Sequence, residues 1–567
     1  MEKRTILAFA LIFLIFLISN QFIWKPKQEA LLEKQKKEAL EKADQQDYAP
    51  QETPIPIQNE QNSIYNSLVF NDSIAIVYDL ILENETIKIT FSNLGGNISS
   101  VELKEYRAQD RVSNIELVPE NQKLANLRIF SKNKQMYDLD EAVFNYDIIG
   151  ENGIIFTVNT TSGIIRKEYT LQEEYTLDMN LSVENFENID RYEIGLEGGI
   201  ADTEEFIKYK HQDYKVYTQV DSELLKRALK SLRTKDQIVE LKSTINNDPA
   251  KKQKKLKTYE TSGKIDWASL RSKFFNLSII PDEMIRINKM SYFNNEGQPA
   301  LYLNARLDRE TFEHQYQFYF GPSLYNNMAQ FNNGIEKIVE MGPGFLQWLS
   351  KLFHKLFNFL HSFIPSWGVC LLIFAILIKL LLYPLTHKSF EASSKMQAVM
   401  PKTREIQAKY KHDPLLMHKE MKKMHKEEGV NQFGGCLPML LQMPIFFALY
   451  PILRYSIDLR QAGFLWIKDL SAPDPYLIMP ILMGVFMFLQ SYLMQPKNSK
   501  TAEMDEKQQA QMQSQKMITY IMPVMMFFMF KNFPSGLVIY WTVFNVFSIV
   551  QMLFIRNKFE HLKPAKG

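Results

Sequence analysis

Apolar residues in this chain are gathered into runs too long for the core of a water-soluble domain, and that restricts the fold more than any other feature. From Ile6 to Ile18 thirteen apolar residues follow one another, inside a charge-free stretch from Thr5 to Trp24 preceded by Lys3 and Arg4. About 20 residues, at 1.5 Å rise each, cross the hydrocarbon of a bilayer. The run ends in Ser19-Asn20-Gln21-Phe22-Ile23-Trp24 without a small-x-small cleavage site, so an uncleaved anchor with a cytoplasmic basic tip is expected rather than a removed signal peptide. Five further candidate spans come late: Trp367 to Leu385, Cys436 to Leu453, Tyr476 to Met494, Met517 to Phe530 and Leu537 to Ile555. The overall hydrophobic content of 46% looks ordinary only because polar stretches offset these runs.

Between the first span and the rest the solvent changes. Residues 25–62 are rich in Lys, Glu, Gln and Pro, too polar to offset the entropy of ordering, and read as a flexible linker. From 63 to about 340 the pattern is short alternating runs, among them Thr86-Ile-Lys-Ile-Thr-Phe, Ile154-Ile-Phe-Thr-Val, Ile164 to Leu171, Thr176 to Val183 and His314 to Phe320. Period-two alternation broken by Gly, Asn and Asp predicts half-buried antiparallel strands of a β-sandwich, with Gly95-Gly96 as a turn. Residues 341–365 then carry Gln347, Ser350, Lys351, His354, Lys355, Asn358, His361 and Ser362 on one helical face. An amphipathic helix lying in the membrane interface is expected there.

Charge sets the orientation. The loop between spans two and three, residues 387–431, holds ten Lys or Arg, the loop between four and five holds four, and the tail 556–567 holds four. The loops assigned outside hold three (Arg454, Arg460, Lys468) and one (Lys531). By the positive-inside rule both termini are cytoplasmic and the β-domain lies outside. The domain order expected is therefore anchor 1–24, linker 25–62, outer β-domain 63–340, interfacial helix 341–365, span two at 366–386, basic hairpin 387–431, spans three to six at 432–555 and basic tail 556–567. Total charge excludes a general nucleic-acid coat, since 66 basic and 64 acidic residues leave only +2, and two cysteines exclude a disulfide scaffold.

Lys379, inside span two, is the most informative polar residue, because a mid-span lysine costs roughly 2.5 to 3.5 kcal/mol on insertion scales. Its side chain either snorkels to the cytoplasmic headgroups or faces a water-filled cavity in the bundle; no span supplies a carboxylate for it, which favours the cavity. Gln442, Gln490, Ser491 and Gln551 are also at membrane depth, and Thr542, Asn545 and Ser548, spaced by three, share a face; this is either interhelical hydrogen bonding or a cavity lining. Span five has only fourteen uncharged residues, about 21 Å of helix against a ~30 Å layer, and carries Met517, Met522, Met525, Met526 and Met529. It predicts local thinning of the bilayer beside an adaptable apolar surface.

The 387–431 loop has helical periodicity broken at Asp413-Pro414, so a two-helix hairpin is expected. Lys395, Lys402, Arg404, Lys409, Lys411, Lys422 and Lys423 give it a positive face suited to anionic headgroups or ribosomal RNA. No phosphate loop, metal-ligand spacing or nucleophile in a recognisable setting appears, so no enzyme, metal or cofactor is expected.

Four blocks carry a resemblance. Gly429-Val-Asn-Gln-Phe-Gly-Gly-Cys-Leu-Pro-Met-Leu-Leu-Gln-Met-Pro-Ile-Phe-Phe-Ala-Leu-Tyr, Leu465-Trp-Ile-Lys-Asp-Leu-Ser-Ala-Pro-Asp-Pro-Tyr, Pro480-Ile-Leu-Met-Gly and Phe533-Pro-Ser-Gly-Leu-Val-Ile-Tyr-Trp closely resemble the YidC membrane protein insertases, in order. The outer domain is similar to that family's periplasmic β-super-sandwich only in pieces such as Tyr319-Phe-Gly-Pro. The resemblance implies a polytopic α-helical membrane protein of the Gram-negative inner membrane, with six spans, a five-helix core, a periplasmic β-super-sandwich and a cytoplasmic helical hairpin. It implies a hydrophilic groove open to cytoplasm and lipid. The family's span-two arginine is matched here by Lys379, which keeps the charge but not the guanidinium fork.

On that reading Lys379, Gln442, Thr542, Asn545 and Ser548 line the groove, while Met439, Phe446, Met522, Met525 and Met526 form a slide for apolar segments. The partners implied are nascent membrane proteins, the Sec translocon, anionic lipids, and ribosomes and targeting factors at the hairpin and tail, with no specific nucleic acid. The alternative is a secondary transporter or channel, which usually has internal repeats; none is seen between spans two and six.

Overall fold

The computed structural model describes residues 77–133, 135–206, 210–229, 258–295, 297–410, 412–429, 437–493 and 519–560. The expected anchor 1–24 and linker 25–62 lie outside them, as do Lys411 and the tail beyond 560.

The alternating runs are strands. In Gly163–Leu171 and Thr176–Glu184 every second side chain is buried, so Tyr169, Leu177, Met179, Leu181 and Val183 face the core while Asp178 and Asn180 face out. Among the described residues all strand pairs are antiparallel and form three sheets, of four, nine and six strands. The largest runs, in spatial order, Glu223–Ala228, Lys215–Val220, Ile265–Arg271, Phe275–Pro281, Phe312–Pro322, Thr176–Glu184, Gly163–Leu171, Gly153–Thr160 and Asn145–Ile149. One contiguous apolar core joins the sheets in a sandwich-like stack. Gly95 and Gly96 do form a turn with positive φ, +82° and +55°, and its carbonyls serve a buried cation. The Lys167 ammonium donates to Gly95 O and Asn97 Oδ1 at 2.8 Å and to Ala125 O at 2.9 Å, so burial without a touching carboxylate is offset by three oxygens.

Among the described residues eight longer helices follow, each labelled here in chain order: α1 Gln347–His361, α2 Trp367–Leu381, α3 Tyr383–Lys409, α4 Pro414–Glu427, α5 Leu437–Tyr455, α6 Ile478–Leu493, α7 Thr519–Phe530 and α8 Ser535–Glu560. Helix α1 has three faces rather than two. Phe353 and Phe357 pack on the Phe374 ring of α2, the polar residues form a second face, and Trp348, Leu352 and Phe359 stand exposed on a third, with Phe363 exposed just beyond the helix end. Ser350 departs from its expected polar face; it is buried and donates to Ala448 O at 3.0 Å.

Span two differs from its expected extent. The helix ends at Leu381 and bends by 60° into α3, because Pro384 in the first turn of α3 lacks an amide donor and disfavours a continuous helix. The break at Asp413-Pro414 falls where expected; Asp413 caps α4 by accepting from Leu415 N at 3.1 Å and Leu416 N at 3.0 Å. Among the described residues only Ser535–Ile555 is both long and apolar enough to cross a membrane, with the bent α2–α3 pair a second candidate; Ile478–Leu493 and Thr519–Phe530 are apolar but shorter.

The β-domain is clasped to the loop between α5 and α6. At the end of α5, Arg454 Nη2 donates to both Asp213 oxygens at 2.9 Å. Beyond it Arg460 donates to Glu204 Oε1 at 2.8 Å, to Arg107 O at 2.7 Å and to Thr203 O at 3.1 Å. All four charged side chains are buried. Removing one partner of a buried pair strands the other charge, at about 3 to 5 kcal/mol. Asp213→Ala is therefore expected to raise amide hydrogen exchange through residues 456–477, whereas Lys264→Ala, at an exposed ion pair, leaves it unchanged.

A second prediction concerns acid. His314 Nδ1 and the Tyr192 hydroxyl share a hydrogen bond of 2.6 Å, and burial holds the imidazole down to about 4 against a smaller opposing pull from Asp282. A histidine whose folded pKa lies below its unfolded value of about 6.5 is protonated first in the unfolded chain. Its contribution is intact above pH 6.5 and is lost as pH falls toward 4. Hydrogen exchange in the Phe312–Pro322 strand should rise over that interval, and less steeply in His314→Gln.

Candidate functional site

Helix α2 begins against the α5–α6 loop, where Gly368 lets Phe464 approach; a Cβ there would stand 2.2 Å from the ring. Twelve residues on, at ~18 Å along the axis, comes Lys379, one turn from the bend. On α8, counted from Ser535, Ser548 lies at a similar depth of ~20 Å. The two meet: Lys379 Nζ donates to Ser548 Oγ at 2.7 Å, and the ammonium sits 4.0 Å from the Phe544 ring centroid and 5.8 Å from that of Phe390. A hydroxyl lone pair and aromatic π-faces are what a cation can use in place of water. Among the described residues no carboxylate pairs with it.

Its exposure corrects the open cavity expected around it. Lys379 is 3% exposed, so in this arrangement it neither snorkels to a surface nor faces open water. The physical reason is the Ser548 hydroxyl and the Phe544 ring, which close over it.

The other groove residues fall on one polar seam between α2, α5 and α8. Gln442 Nε2 on α5 donates to the Tyr540 hydroxyl at 3.2 Å. Thr542 and Ser548 turn their hydroxyls back to carbonyls of their own helix, Val538 O at 2.7 Å and Phe544 O at 2.8 Å. Asn545 is buried between them with an unpartnered Nδ2. The seam continues inward through a pair absent from the expected site: Thr386 Oγ1 and Gln551 lie within 3.2 Å of each other, and Gln551 Nε2 reaches Tyr383 O at 3.4 Å. Gln551 extends the spacing by three from Thr542, a usable signal. Thr386 gave none, since it lies beyond a bend that its segment's composition conceals.

Toward the outer end the seam meets rings. Phe446 stands 5.6 Å from Trp541 and 6.2 Å from Phe530, Phe530 is 5.0 Å from Phe533, and Tyr450 is 5.5 Å from Phe533. Phe446 is thus a half-buried member of an aromatic plug. Of the remaining slide residues, Met525 is exposed, Met522 half-buried and Met526 buried, so α7 turns only part of its methionine face outward; the Met439 side chain lies outside the described residues. In the basic pair α3–α4, Lys395, Lys402, Lys409, Lys422 and Lys423 are exposed, Lys402 reaches Glu428 at 2.5 Å, and the Arg404 side chain lies outside the described residues.

Residues 80–356 match the family model described as the YidC periplasmic domain, and residues 359–562 match that of the 60Kd inner membrane protein. The membrane protein insertase YidC of Chlorobaculum tepidum is 28% identical across 98% of this chain and 94% of its own length. The corresponding protein of Geobacter sulfurreducens is 37% identical across 51% of this chain and 53% of its own. Among solved structures, a YidC insertase crystal structure with the first transmembrane domain resolved is similar over 85% of this chain and 94% of that one, at 16% identity and a TM-score of 0.33.

The chain belongs to the YidC family. Membership places it in an inner membrane and accounts for a β-sandwich-like periplasmic domain ahead of an apolar helical part. It gives the solute-carrier alternative no support.

For the seam, stability gives a test independent of activity. Ser548→Ala removes the hydroxyl acceptor of a buried ammonium, a loss of about 1 to 3 kcal/mol. Thermal unfolding of the purified protein should show a lower midpoint for Ser548→Ala than for Ser548→Thr, which keeps the oxygen.

Proposed function

We propose that this chain is a membrane protein insertase that admits nascent inner-membrane proteins to the seam between α2, α5 and α8 and passes their apolar segments sideways into lipid. The observation that carries the reading is the Lys379 ammonium, held at membrane depth by a single serine hydroxyl and two rings rather than by an acid. A neutral, weak acceptor is exchangeable. A client carboxylate taking the place of Ser548 Oγ at ~4 Å would gain about 4 kcal/mol at an effective dielectric near 20, before desolvation. That is enough to bias admission without trapping the guest.

Because Lys379 is enclosed, admission requires the inner ends of α2 and α8 to part, and the 60° bend after Leu381 is the natural hinge. The client's polar end then follows Gln551, Ser548, Asn545, Thr542 and Gln442 outward, and its apolar part leaves past Phe446, Met439 and the methionines of α7, Met522, Met525 and Met526. A negative end moving outward is favoured by about 2.3 kcal/mol per charge per 100 mV, inside negative. No fuel molecule is needed for these steps. The final gain is burial of the client's own segment of ~20 apolar residues.

The topology of this reading is six spans with both termini cytoplasmic. Support comes from the ends of the bundle: the β-domain grips the α5–α6 loop, whereas the basic α3–α4 pair leaves from the far end of α2. Exposed apolar side chains such as Leu377, Leu380, Ile481, Val485, Val524 and Phe528 suit a lipid-facing belt. Helix α2 has 15 residues before its bend, ~23 Å against a ~30 Å layer, which supports a locally thinned bilayer. The exposed lysines of α3–α4 would engage ribosomes, targeting factors and anionic lipid, and the protein would act alone or beside the Sec translocon.

Two measurements test this. In proteoliposomes Lys379→Arg should insert clients at near the original rate, while Lys379→Glu should slow acidic-tailed clients at least tenfold; an unimpaired Glu variant sinks the charge argument. Deleting residues 387–431 should depress co-translational insertion more than post-translational insertion, and equal effects on both would remove the proposed ribosome role.

A further inference from the structure

Where the β-domain meets the helices there is a second polar site, away from the seam. A cavity of about 520 Å³ opens between the outer domain, the α5–α6 loop and the α7–α8 corner. Its size is that of a small-molecule site. Arg111, Lys273, Lys468 and Lys531 line it, and among the described residues none has a carboxylate within 4 Å. Their contacts are neutral: Arg111 Nη2 donates to Lys468 O at 2.8 Å, Lys273 Nζ to Ser471 O at 2.9 Å, and Lys531 Nζ lies 5.1 Å from the Phe528 ring centroid.

Carboxylates are present but mostly engaged by other donors. Glu204 is taken by Arg460, Asp469 accepts from Ser471 N and Oγ at 2.8 and 2.7 Å, and Asp474 accepts from Met479 N at 2.7 Å and Tyr476 N at 3.0 Å. Glu205 also stands at the wall, and Lys273 feels the charges of Glu204 and Asp469, so Arg111, Lys468 and Lys531 are the cations most open to an external anion. In addition, Thr203 Oγ1, at the cavity wall, is buried without a partner.

What lies below the cavity selects the anion. Helices α6 and α7 run side by side, the Phe488 ring 5.6 Å from Tyr520. Each carries an exposed apolar row at i, i+3, i+7: Ile478, Ile481 and Val485 on α6, and Ile521, Val524 and Phe528 on α7. Lys531 stands where the second row reaches the cavity, and Trp466 and Tyr476 sit at the rim, the residue types that settle at the level of headgroups. A free phosphate would use only the cations. A glycerophospholipid uses both parts.

We propose that this cavity holds the phosphate headgroup of an outer-leaflet glycerophospholipid, with its acyl chains along the exposed rows of α6 and α7. Bound there, the lipid bridges the β-domain, the α5–α6 loop and the α7–α8 corner. The proposal rests on the membrane topology given above, and it adds a ligand outside the client seam.

The test uses the full chain purified in detergent and titrated with dioleoyl phosphatidylethanolamine and dioleoyl phosphatidylglycerol, with bound lipid counted by native mass spectrometry. One tight site is expected for at least one of the two lipids. It should weaken at least tenfold in Lys468→Gln/Lys531→Gln and stay unchanged in Lys264→Gln; equal retention in the double variant overturns the site. Dihexanoyl lipid should bind at least tenfold more weakly than the dioleoyl form, and displacement by equimolar inorganic phosphate overturns the lipid in favour of a simple anion. If the double variant does not fold, Lys468→Gln alone, at an exposed position, is expected about threefold weaker, and no change sinks the proposal. Insertion by the wild type is measured in parallel: its failure would count against the insertase reading, while the lipid count is read on its own.

Discussion

A charged amine in an apolar bundle has to be satisfied by whatever lies within a few ångströms, and at Lys379 that is one serine oxygen and two aromatic faces. A lysine at mid-span costs roughly 2.5 to 3.5 kcal/mol on insertion scales. An acid would pair with it more strongly, but a paired and desolvated charge resists separation. Serine leaves two of three ammonium hydrogens without a strong acceptor, so the group is stable enough to stay folded and incompletely satisfied. The polar stripe of α8 follows from this. Thr542, Asn545, Ser548 and Gln551 keep the neighbourhood hydrogen-bonding without adding charge, and the unpartnered Asn545 amide shows the same incompleteness one turn outward.

The parts of this arrangement that depend on local pattern were legible in the sequence. Alternation from Ile164 to Val183 specified strands and their buried faces, and Asp413-Pro414 specified a cap and a proline start for α4. The spacing of Thr542, Asn545 and Ser548 placed them on one face because a helix repeats every 3.6 residues. Long-range pairing was not legible. Nothing near Phe312–Pro322 says that it lies between Thr176–Glu184 and Phe275–Pro281, since any strand of similar alternation offers the same backbone groups. Arg454 and Arg460 were counted as loop charges, whereas they are buried partners of Asp213 and Glu204, more than two hundred residues away in the chain. The bend at Leu382 was masked because Pro384 sits among apolar residues that continue the hydropathy of α2. The enclosure of Lys379 depends on a neighbouring helix and cannot be read from its own.

The two ends of the bundle differ in what holds them, and this bears on direction. At the outer end the α5–α6 loop is fixed by two buried charge pairs, and the seam is capped by Phe446, Tyr450, Phe530, Phe533 and Trp541. Separating that end would strand buried charges and break a close-packed aromatic cluster. At the inner end α2 stops at a bend, and the contacts joining α3 to α8 are hydrogen bonds among Tyr383, Thr386 and Gln551, which water can replace at little net cost. On the proposed function, the inner side is therefore the one that opens. On that reading the asymmetry alone gives a polar tail a way in from the cytoplasm while the outer mouth stays shut, and the membrane potential then acts on a guest already inside. Direction needs no gate on this account, only unequal resistance at the two ends of one seam.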